Sequence, residues 1–420
     1  MASASGQEAG AIFTNKPSPN RGGWRALARR EGFGYNNPMS NAIGCYVHIP
    51  FCVRKCAYCD FNSYSGYTDA HITRYVDALA CEIHLTPPEL GAGGPPVDAV
   101  FFGGGTPTAI PASDEAALLR AVLETLPVTP DAEITTEANP GTMDVQHLEV
   151  LREAGFNRIS FGVQSFDAGL LQTLDRIHSV DEAKNAIKAA RAAGFDNVSL
   201  DLMFALPRQT LRQWQDTLTQ ALELETDHLS LYSLIVEEGT GFYTLQQKGR
   251  LPLPSDDTAA DMFEVAVETA QSAGYAQYEI ANFAKPGREC RQNLHYWRND
   301  SYYGFGCGAA SYLSGARRMT LKAPAKYAEA VETNSDLMLS TETLTDDETM
   351  AETMMLGLRL TREGVSYARF EARFGVDIRD KFAAEIETFT HRGLLEATDT
   401  CLRLTPQGVF LASEVMVAFV

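Results

Sequence analysis

The strongest constraint on the fold is an alternation of two hydrophobic periods that begins at residue 44 and repeats six times. Short β-rich runs alternate with longer segments whose apolar residues recur at helical spacing. The predicted strands are Cys45–Ile49, Ala99–Phe102, Glu133–Thr136, Arg158–Val163, Asn197–Phe204 and His228–Ile235. The predicted helices include Asp69–Leu85, Asp144–Ala154, Asp181–Ala193 and Leu211–Leu224. This order predicts an α/β fold with a parallel sheet, closed or partly closed into a barrel.

The chain continues beyond the six predicted strands. Asp256–Ala273 indicates one more helix, after which the periodicity becomes irregular. In residues 341–420 we expect helices at Glu348–Leu358 and Asp380–Arg392 and a short hairpin within Leu394–Thr405. This combination predicts a winged-helix-like module. Its 8 basic residues against 14 acidic ones lack the basic face of a DNA reader, so we expect a lid or contact module.

The first 40 residues carry Gly, Ser, Pro, Asn and Arg without hydrophobic periodicity. They predict a flexible tail, in which Trp24–Arg30 could form a short helix. A targeting peptide, or a true first residue at Met39, are open alternatives. The predicted division is therefore a tail over 1–40, a barrel domain with its extension over 41–340, and the small module over 341–420.

Charge and hydropathy exclude some partners. The chain has 35 basic and 54 acidic residues, a net charge of −19, which would repel a phosphate backbone. No apolar run approaches the roughly 20 residues of a membrane-spanning helix, and no secretory signal is evident. We expect a cytoplasmic protein that has no membrane span and does not bind nucleic acid.

Three of the eight cysteines crowd into one short segment, Cys52, Cys56 and Cys59, and the other five are scattered. Clustered thiols in a reducing compartment indicate a metal site. A structural zinc ion takes four ligands, and neither His48 nor Asp60 stands at a familiar zinc spacing. Three thiolates on a cubane iron–sulfur cluster would leave one iron open to a small molecule.

Polar and glycine-rich residues follow the ends of the predicted strands. Gly103–Pro107 follows the second strand, Glu137 the third and Gln164 the fourth, and Asp201 lies within the fifth. Reactive groups of parallel barrels gather at the carboxyl ends of the strands, so we expect these residues to converge at one mouth. The alternative for each residue alone is that it caps the helix that follows.

The segment from Cys52 to Cys59, Cys-x-x-x-Cys-x-aromatic-Cys after a strand, resembles the radical S-adenosylmethionine superfamily. The resemblance implies a 4Fe-4S cluster whose open iron chelates the methionine moiety of S-adenosylmethionine. One electron from the cluster then cleaves the sulfonium to a 5′-deoxyadenosyl radical. Such a cofactor carries the hard chemistry, and the protein supplies orientation and exclusion of water.

From about residue 44 onward the chain resembles the coproporphyrinogen III dehydrogenase-like branch of that superfamily. The resemblance rests on Tyr46–Cys52, Gly162–Phe166 and Asp201–Pro207. It implies a partial parallel (β/α)6 barrel of the radical SAM type followed by the winged-helix-like module. The positions that match cofactor contacts of the branch are Tyr46, Tyr58, Gly104, Gly105, Thr106, Glu137, Gln164, Arg176 and Asp201. The alternative for Gln164, Arg176 and Asp201 is an ordinary polar lining of the barrel rim.

Within this branch the chain is most similar to the HemW haem-chaperone family. The dehydrogenase pattern has a fourth cysteine where this chain has Phe61, and Leu404–Gly408 with the final helix also looks like HemW. The similarity implies a protein that binds haem and passes it to an acceptor, with an electron donor for its cluster. The alternative is an oxygen-independent coproporphyrinogen III dehydrogenase, which decarboxylates porphyrinogen propionates by radical chemistry.

Two family histidines are missing. The HemW pattern His-Asn-x-x-Tyr-Trp stands here with Gln292 in the first position, and Gly-Cys-Gly-Ala-His ends here in Ala310. Glutamine is a poor haem ligand compared with imidazole or thiolate. His295, Cys290 or Cys307 could substitute. The alternative is that His295 is a hydrogen-bonded surface histidine and that haem binding is altered or lost.

Overall fold

The computed structural model describes residues 42–86, 91 and 93–420. The predictions for the tail, with its short helix at Trp24–Arg30 and the alternative start at Met39, lie outside the described residues.

The six predicted strands form the centre of a twelve-stranded sheet. They are β1 (Ile43–Ile49), β2 (Val97–Gly104), β3 (Val128–Ala138), β4 (Arg158–Gln164), β5 (Asn197–Phe204) and β6 (His228–Ser233). Each pairs in parallel with the next. The predicted α/β fold with a parallel sheet is therefore confirmed.

Helices connect these strands. They are α1 (Asp69–His84), α2 (Ala112–Thr125), α3 (Val145–Ala154), α4 (Ala168–Thr173), α5 (Val180–Ala192) and α6 (Leu211–Leu222). Helices α2 and α4 were not among the predicted helices. At α5 and α6 a serine or threonine N-cap exchanges hydrogen bonds with the third helical residue, the arrangement called a capping box. These caps fix where each helix begins.

The stretch after β6 consists of helices and short strands, and the strands widen the sheet at both edges. They are α7 (Gly241–Gln247), α8 (Asp256–Ser272), β7 (Ala276–Gln277), β8 (Asn282–Ala284), α9 (Arg291–Trp297), β9 (Tyr302–Phe305), β10 (Ala310–Leu313), β11 (Ala316–Thr320), α10 (Pro324–Glu332) and β12 (Met338–Thr343). Strand β9 joins β1 in parallel, and β8 joins β6 antiparallel. Because β1 and β6 pair with these strands and not with each other, the barrel is partial.

The two faces of the central strands differ in polarity. The outward residues of β4, Ile159, Phe161 and Val163, are fully buried in the main hydrophobic core. The inward residues of the same strand are Arg158, Ser160, Gly162 and Gln164, since side chains alternate along a strand. An inner face of this kind cannot pack as an apolar core, so the interior encloses a polar cavity.

The last elements form a smaller unit with its own core. They are α11 (Asp346–Gly357), β13 (Val365–Ser366), α12 (Tyr367–Phe374), α13 (Ile378–Lys381), α14 (Ala383–His391), β14 (Leu395–Ala397), β15 (Cys401–Leu404), α15 (Pro406–Phe410) and α16 (Ala412–Val417). The single helix predicted over Asp380–Arg392 is wrong. The chain leaves helical geometry at Phe382, whose ring packs against Phe370 and Phe419 in that core.

Among the described residues, no helix combines the length and apolar character that crossing a bilayer requires.

Candidate functional site

A cavity of about 470 Å³ opens at the carboxyl ends of the central strands and extends into the barrel. The three clustered cysteines lie at its wall. Seven of the nine predicted cofactor contacts also line it: Tyr58, Gly105, Thr106, Glu137, Gln164, Arg176 and Asp201. The polar residues that follow separate strands in the sequence therefore face one space.

The other two predicted contacts, Tyr46 and Gly104, lie beside the cavity wall. Nε2 of His48 faces the carbonyl of Asn62 at 2.9 Å, so this nitrogen carries the proton. His48 Nδ1 then accepts a hydrogen bond from the Tyr46 hydroxyl at 3.0 Å. The Gly104 N–H donates to Glu137 Oε2 at 3.2 Å. Gly104 therefore holds Glu137, which lines the cavity, and Tyr46 holds the ring of His48, which does not.

The glycines after β2 are required by the protein's own packing. A Cβ on Gly105 would lie 2.6 Å from the Phe51 carbonyl oxygen, and one on Gly103 would lie 2.9 Å from Glu137 Oε2. Gly104 has a φ of +114°, and a Cβ there would lie 2.4 Å from the His48 ring. The end of β2 can therefore pass close to both β1 and Glu137 only without side chains.

Main-chain hydrogen bonds shape the loop that carries the cysteines. Tyr64 donates its N–H to the Pro50 carbonyl at 2.7 Å, and Cys52 donates to the Tyr64 carbonyl at 2.9 Å. Lys55 Nζ donates to the carbonyls of Phe61 and Ser63 at 3.0 and 3.2 Å. The loop is thereby folded back on itself, and the three thiols are held on the cavity wall.

Each sulfur has a polar neighbour. Thr106 Oγ1 lies 3.6 Å from Cys52 Sγ, Arg176 Nη1 lies 3.4 Å from Cys56 Sγ, and Ser63 Oγ lies 3.9 Å from Cys59 Sγ. Burial raises the pKa of the Cys52 and Cys59 thiols. Donors aimed at sulfur favour the thiolate, which is the form that binds iron.

The donor set fits a cluster better than a single ion. In the part of the chain that the structure describes, no three His, Cys, Asp or Glu side chains converge to hold one metal ion. The thiolates of a cubane each bind a different iron, so they need not converge on one point. Three thiols at a polar cavity therefore suit a cluster with one iron left open.

Acidic groups face the same cavity. Burial, with the nearby carboxylate of Asp201, raises the pKa of Glu137 to about 7. Asp201 accepts a hydrogen bond from Ser160 Oγ at 3.1 Å, and burial raises its pKa as well. Gln164 Oε1 accepts from the Tyr232 hydroxyl at 2.9 Å, which leaves its amide NH2 free to bind a ligand. The wall can therefore accept hydrogen bonds from hydroxyl or ammonium groups and donate them through Gln164.

The three candidate haem ligands do not lie together. Cys290 lines the cavity. Cys307 is fully buried, with its N–H on the Tyr75 hydroxyl at 3.0 Å and its sulfur 3.7 Å from Asn62 Nδ2. Gln292, at the position of the family histidine, is 1% exposed and packs against Gly44.

The alternative that His295 is a surface histidine is wrong. Its exposure is 4%, Nε2 lies 2.6 Å from Asp98 Oδ1, and Nδ1 lies 3.5 Å from Asp300 Oδ2. Both ring nitrogens therefore face carboxylates of the protein. The ring is held at the amino end of β2, away from the cysteines, because Asp98 is the second residue of that strand.

Sequence reasoning missed several residues that line the cavity, among them Asn139, Arg158 and Tyr232. Asn139 donates to Thr106 Oγ1 at 2.8 Å and accepts from Arg176. Arg158 is 2% exposed, and its Nε has no hydrogen-bond partner. Their positions on the inner strand faces are the signal that could have found Arg158 and Tyr232.

Two family models match the chain. The model of the Radical SAM superfamily matches residues 46–221, and that of the HemN C-terminal domain matches residues 344–411. The haem chaperone HemW of Bacillus subtilis (strain 168) is 39% identical over 375 residues, which cover 89% of this chain and 98% of that protein. The chain belongs to the HemW family.

A second HemW protein agrees with this placement, and one solved structure shows the same fold. HemW of Escherichia coli (strain K12) is 44% identical over 269 residues, 64% of this chain and 69% of that protein. The structure of coproporphyrinogen III oxidase (HemN) from Escherichia coli superposes with a TM-score of 0.78 at 24% identity and covers 90% of each chain. This chain and HemN therefore share one fold, the radical SAM barrel with a HemN C-terminal domain.

Proposed function

We propose that this protein is a haem chaperone that binds haem and transfers it to an acceptor protein. The observation that carries the proposal is the similarity to HemW of Bacillus subtilis, which extends over 98% of that protein. The proposal includes an electron donor as a second partner and a cytoplasmic location.

The proposal assigns a 4Fe-4S cluster to Cys52, Cys56 and Cys59 and S-adenosylmethionine to the nine predicted contact residues. When bound, the cluster supplies one-electron chemistry to S-adenosylmethionine. The protein's own groups do the rest. Arg176 and Thr106 direct donors at two sulfurs, and Glu137 offers an acceptor beside the Gly104 N–H.

A second candidate function, the oxygen-independent dehydrogenation of coproporphyrinogen III, has the likeness to HemN in its favour. At 24% identity this likeness shows the fold alone. Phe61 stands where the dehydrogenase pattern has its fourth cysteine, and its side chain is 61% exposed. The absence of that cysteine at position 61 favours the chaperone function over the dehydrogenase function.

The two functions are separated by incubating anaerobically reconstituted protein with haem and, in parallel, with coproporphyrinogen III. A chaperone gives a saturable change in the Soret band and leaves coproporphyrinogen III intact. Consumption of coproporphyrinogen III with release of 5′-deoxyadenosine would contradict the chaperone proposal. A titration with no saturable Soret change would contradict it as well.

A further inference from the structure

Asn139 joins the hydrogen bonds that reach two of the three cluster cysteines. Its side chain lies between Thr106, which contacts Cys52 Sγ, and Arg176, which contacts Cys56 Sγ. A single amide therefore connects the immediate surroundings of two sulfurs that are separated along the cysteine loop.

The chemistry of the partners fixes the direction of every hydrogen bond in this chain. A guanidinium can only donate, so the Asn139 atom facing Arg176 is the carbonyl Oδ1. The Nδ2 group must then donate to Thr106 Oγ1, at 2.8 Å. Because Thr106 Oγ1 accepts from Asn139, its own proton is available to Cys52 Sγ at 3.6 Å.

The arrangement is built into the surrounding fold. A Cβ on Gly162 would lie 3.0 Å from Asn139 Oδ1, so the amide packs closely against the backbone of β4. The Thr142 hydroxyl donates to the main-chain carbonyl of Asn139 at 2.7 Å. Arg176 also donates to the carbonyl of Gly162. The Arg176 end of this chain of hydrogen bonds is therefore fixed to a main-chain carbonyl, and the backbone of Asn139, in its middle, is held by Thr142.

We propose that Asn139 is a positioning residue that sets the reduction potential of the cluster by directing the Thr106 hydroxyl at Cys52 and steadying Arg176 at Cys56. The inference rests on the proposed cluster. A reduced cluster carries more negative charge than an oxidised one, and hydrogen bonds to its sulfurs stabilise the reduced form. Loss of these donors lowers the potential.

Two substitutions interrupt the chain at different points. Thr106→Val keeps the shape of the side chain and removes the O–H that reaches Cys52. Asn139→Asp keeps the acceptor for Arg176 but presents an oxygen to Thr106, which turns the hydroxyl away from Cys52. Thr106→Ser keeps the hydroxyl and is the conservative rescue.

Asn157→Asp is the matched control. The Asn157 amide accepts from the Ile134 N–H and donates to the Ala132 carbonyl, both at 2.8 Å, and it does not touch the cysteine loop. The same chemical change is thereby made outside the chain of hydrogen bonds that joins Arg176, Asn139, Thr106 and Cys52.

The readout is the midpoint potential of the cluster, from electron paramagnetic resonance at poised potentials, with iron content measured for each variant. We expect Thr106→Val and Asn139→Asp each to lower the midpoint by about 59 mV, a tenfold change in the ratio of oxidised to reduced cluster. Thr106→Ser and Asn157→Asp should stay at the wild-type midpoint. When Thr106→Val is already present, adding Asn139→Asp should lower the midpoint by less than Asn139→Asp lowers it in the wild-type protein.

Three results would overturn the inference: unchanged midpoints in both variants, strictly additive shifts, or an equal shift in Asn157→Asp. Should Thr106→Val hold no cluster, the test is the midpoint of Asn139→Asp compared with that of Asn157→Asp. A lower midpoint in Asn139→Asp supports the inference, and equal midpoints overturn it. A wild-type protein that takes up no cluster contradicts the proposed cofactor itself, whereas a wild-type cluster with equal midpoints contradicts only the role of Asn139.

Discussion

At the scale of single residues, the backbone at the end of β4 determines which way the Gln164 side chain points. Gln164 has a φ of 68°, a region that non-glycine residues rarely adopt and that costs about 1–3 kcal/mol. The pairing of β4 with β5 shifts its register between Gly162 and Gln164. This local twist turns the Gln164 amide into the cavity, where Tyr232 holds it.

The assignment of the cluster cysteines is testable one residue at a time. We expect Cys56→Ala to hold no 4Fe-4S cluster after anaerobic reconstitution, because two thiolates are too few for the cubane. Iron content and the electron paramagnetic resonance of the reduced protein measure this. Cys81→Ala, on α1, is the control and should keep the wild-type signal. An unchanged cluster signal in Cys56→Ala would reject the assignment.

The pair of carboxylates around His295 predicts a pH-dependent stability. Burial lowers the pKa of His295, but hydrogen bonds to Asp300 and Asp98 raise it above its ordinary 6.5 overall. The folded state therefore holds the proton more tightly than the unfolded state does. The stabilisation is fully present below pH 6.5 and is lost as pH rises through the folded pKa.

His295→Gln should accordingly destabilise the apoprotein most at low pH, by about 3 kcal/mol as for a broken buried pair. The difference in melting temperature from wild type should shrink as pH rises from 6 toward 9. His84→Gln alters a histidine with a half-exposed side chain. It is the control and should change neither the free energy of unfolding nor the melting temperature relative to wild type. A destabilisation by His295→Gln that is the same at every pH would contradict the charge on His295.

At the scale of elements, the placement of α9 separates most of residues 290–297, the haem-motif segment, from the cysteines. Gln292 packs on Gly44 and His295 on Asp98, which are the second residues of β1 and β2. The cysteine loop follows the opposite end of β1. Only the start of the segment, at Cys290 and Asn293, reaches the cavity that also contacts the cluster cysteines.

This placement ranks the candidate haem ligands. We expect Cys290→Ala to shift the Soret band of the haem complex or weaken binding about tenfold, because among Cys290, His295 and Cys307 only Cys290 lines the cavity. Cys307→Ala is the matched control, a buried thiol elsewhere, and should leave the spectrum unchanged. Haem titrations followed by absorbance decide between them. A shift with His295→Ala and none with Cys290→Ala would reverse the ranking.

At the scale of the whole molecule, ion pairs attach the C-terminal unit to the sheet beside α9. Arg298 binds Glu363 through two nitrogens, and Arg369 lies 2.8 Å from Asp300. Asp300 also faces His295, so one buried carboxylate joins the C-terminal unit to α9. Movement of this unit would therefore disturb the haem-motif segment.

The predicted tail gives a test on the intact molecule. A chain that begins at Met39 should keep its cluster and its affinity for S-adenosylmethionine, because residues 1–38 precede the first strand and lack periodicity. Iron content and equilibrium binding of S-adenosylmethionine measure both. Loss of either would show that these residues contribute to the site and would strengthen the dehydrogenase alternative.

The sequence by itself determined the order of the six central strands, the cysteine spacing and seven of the nine predicted contact residues that line the cavity. Hydrophobic period, caps and motif spacing are local properties, so a linear pattern carries them. The positions of α9 and Asn139 were decided only by the tertiary structure. His295 meets Asp98 across 197 residues, and Asn139 meets Thr106 across 33. Contacts between such distant residues depend on how whole elements pack, and no local pattern encodes that.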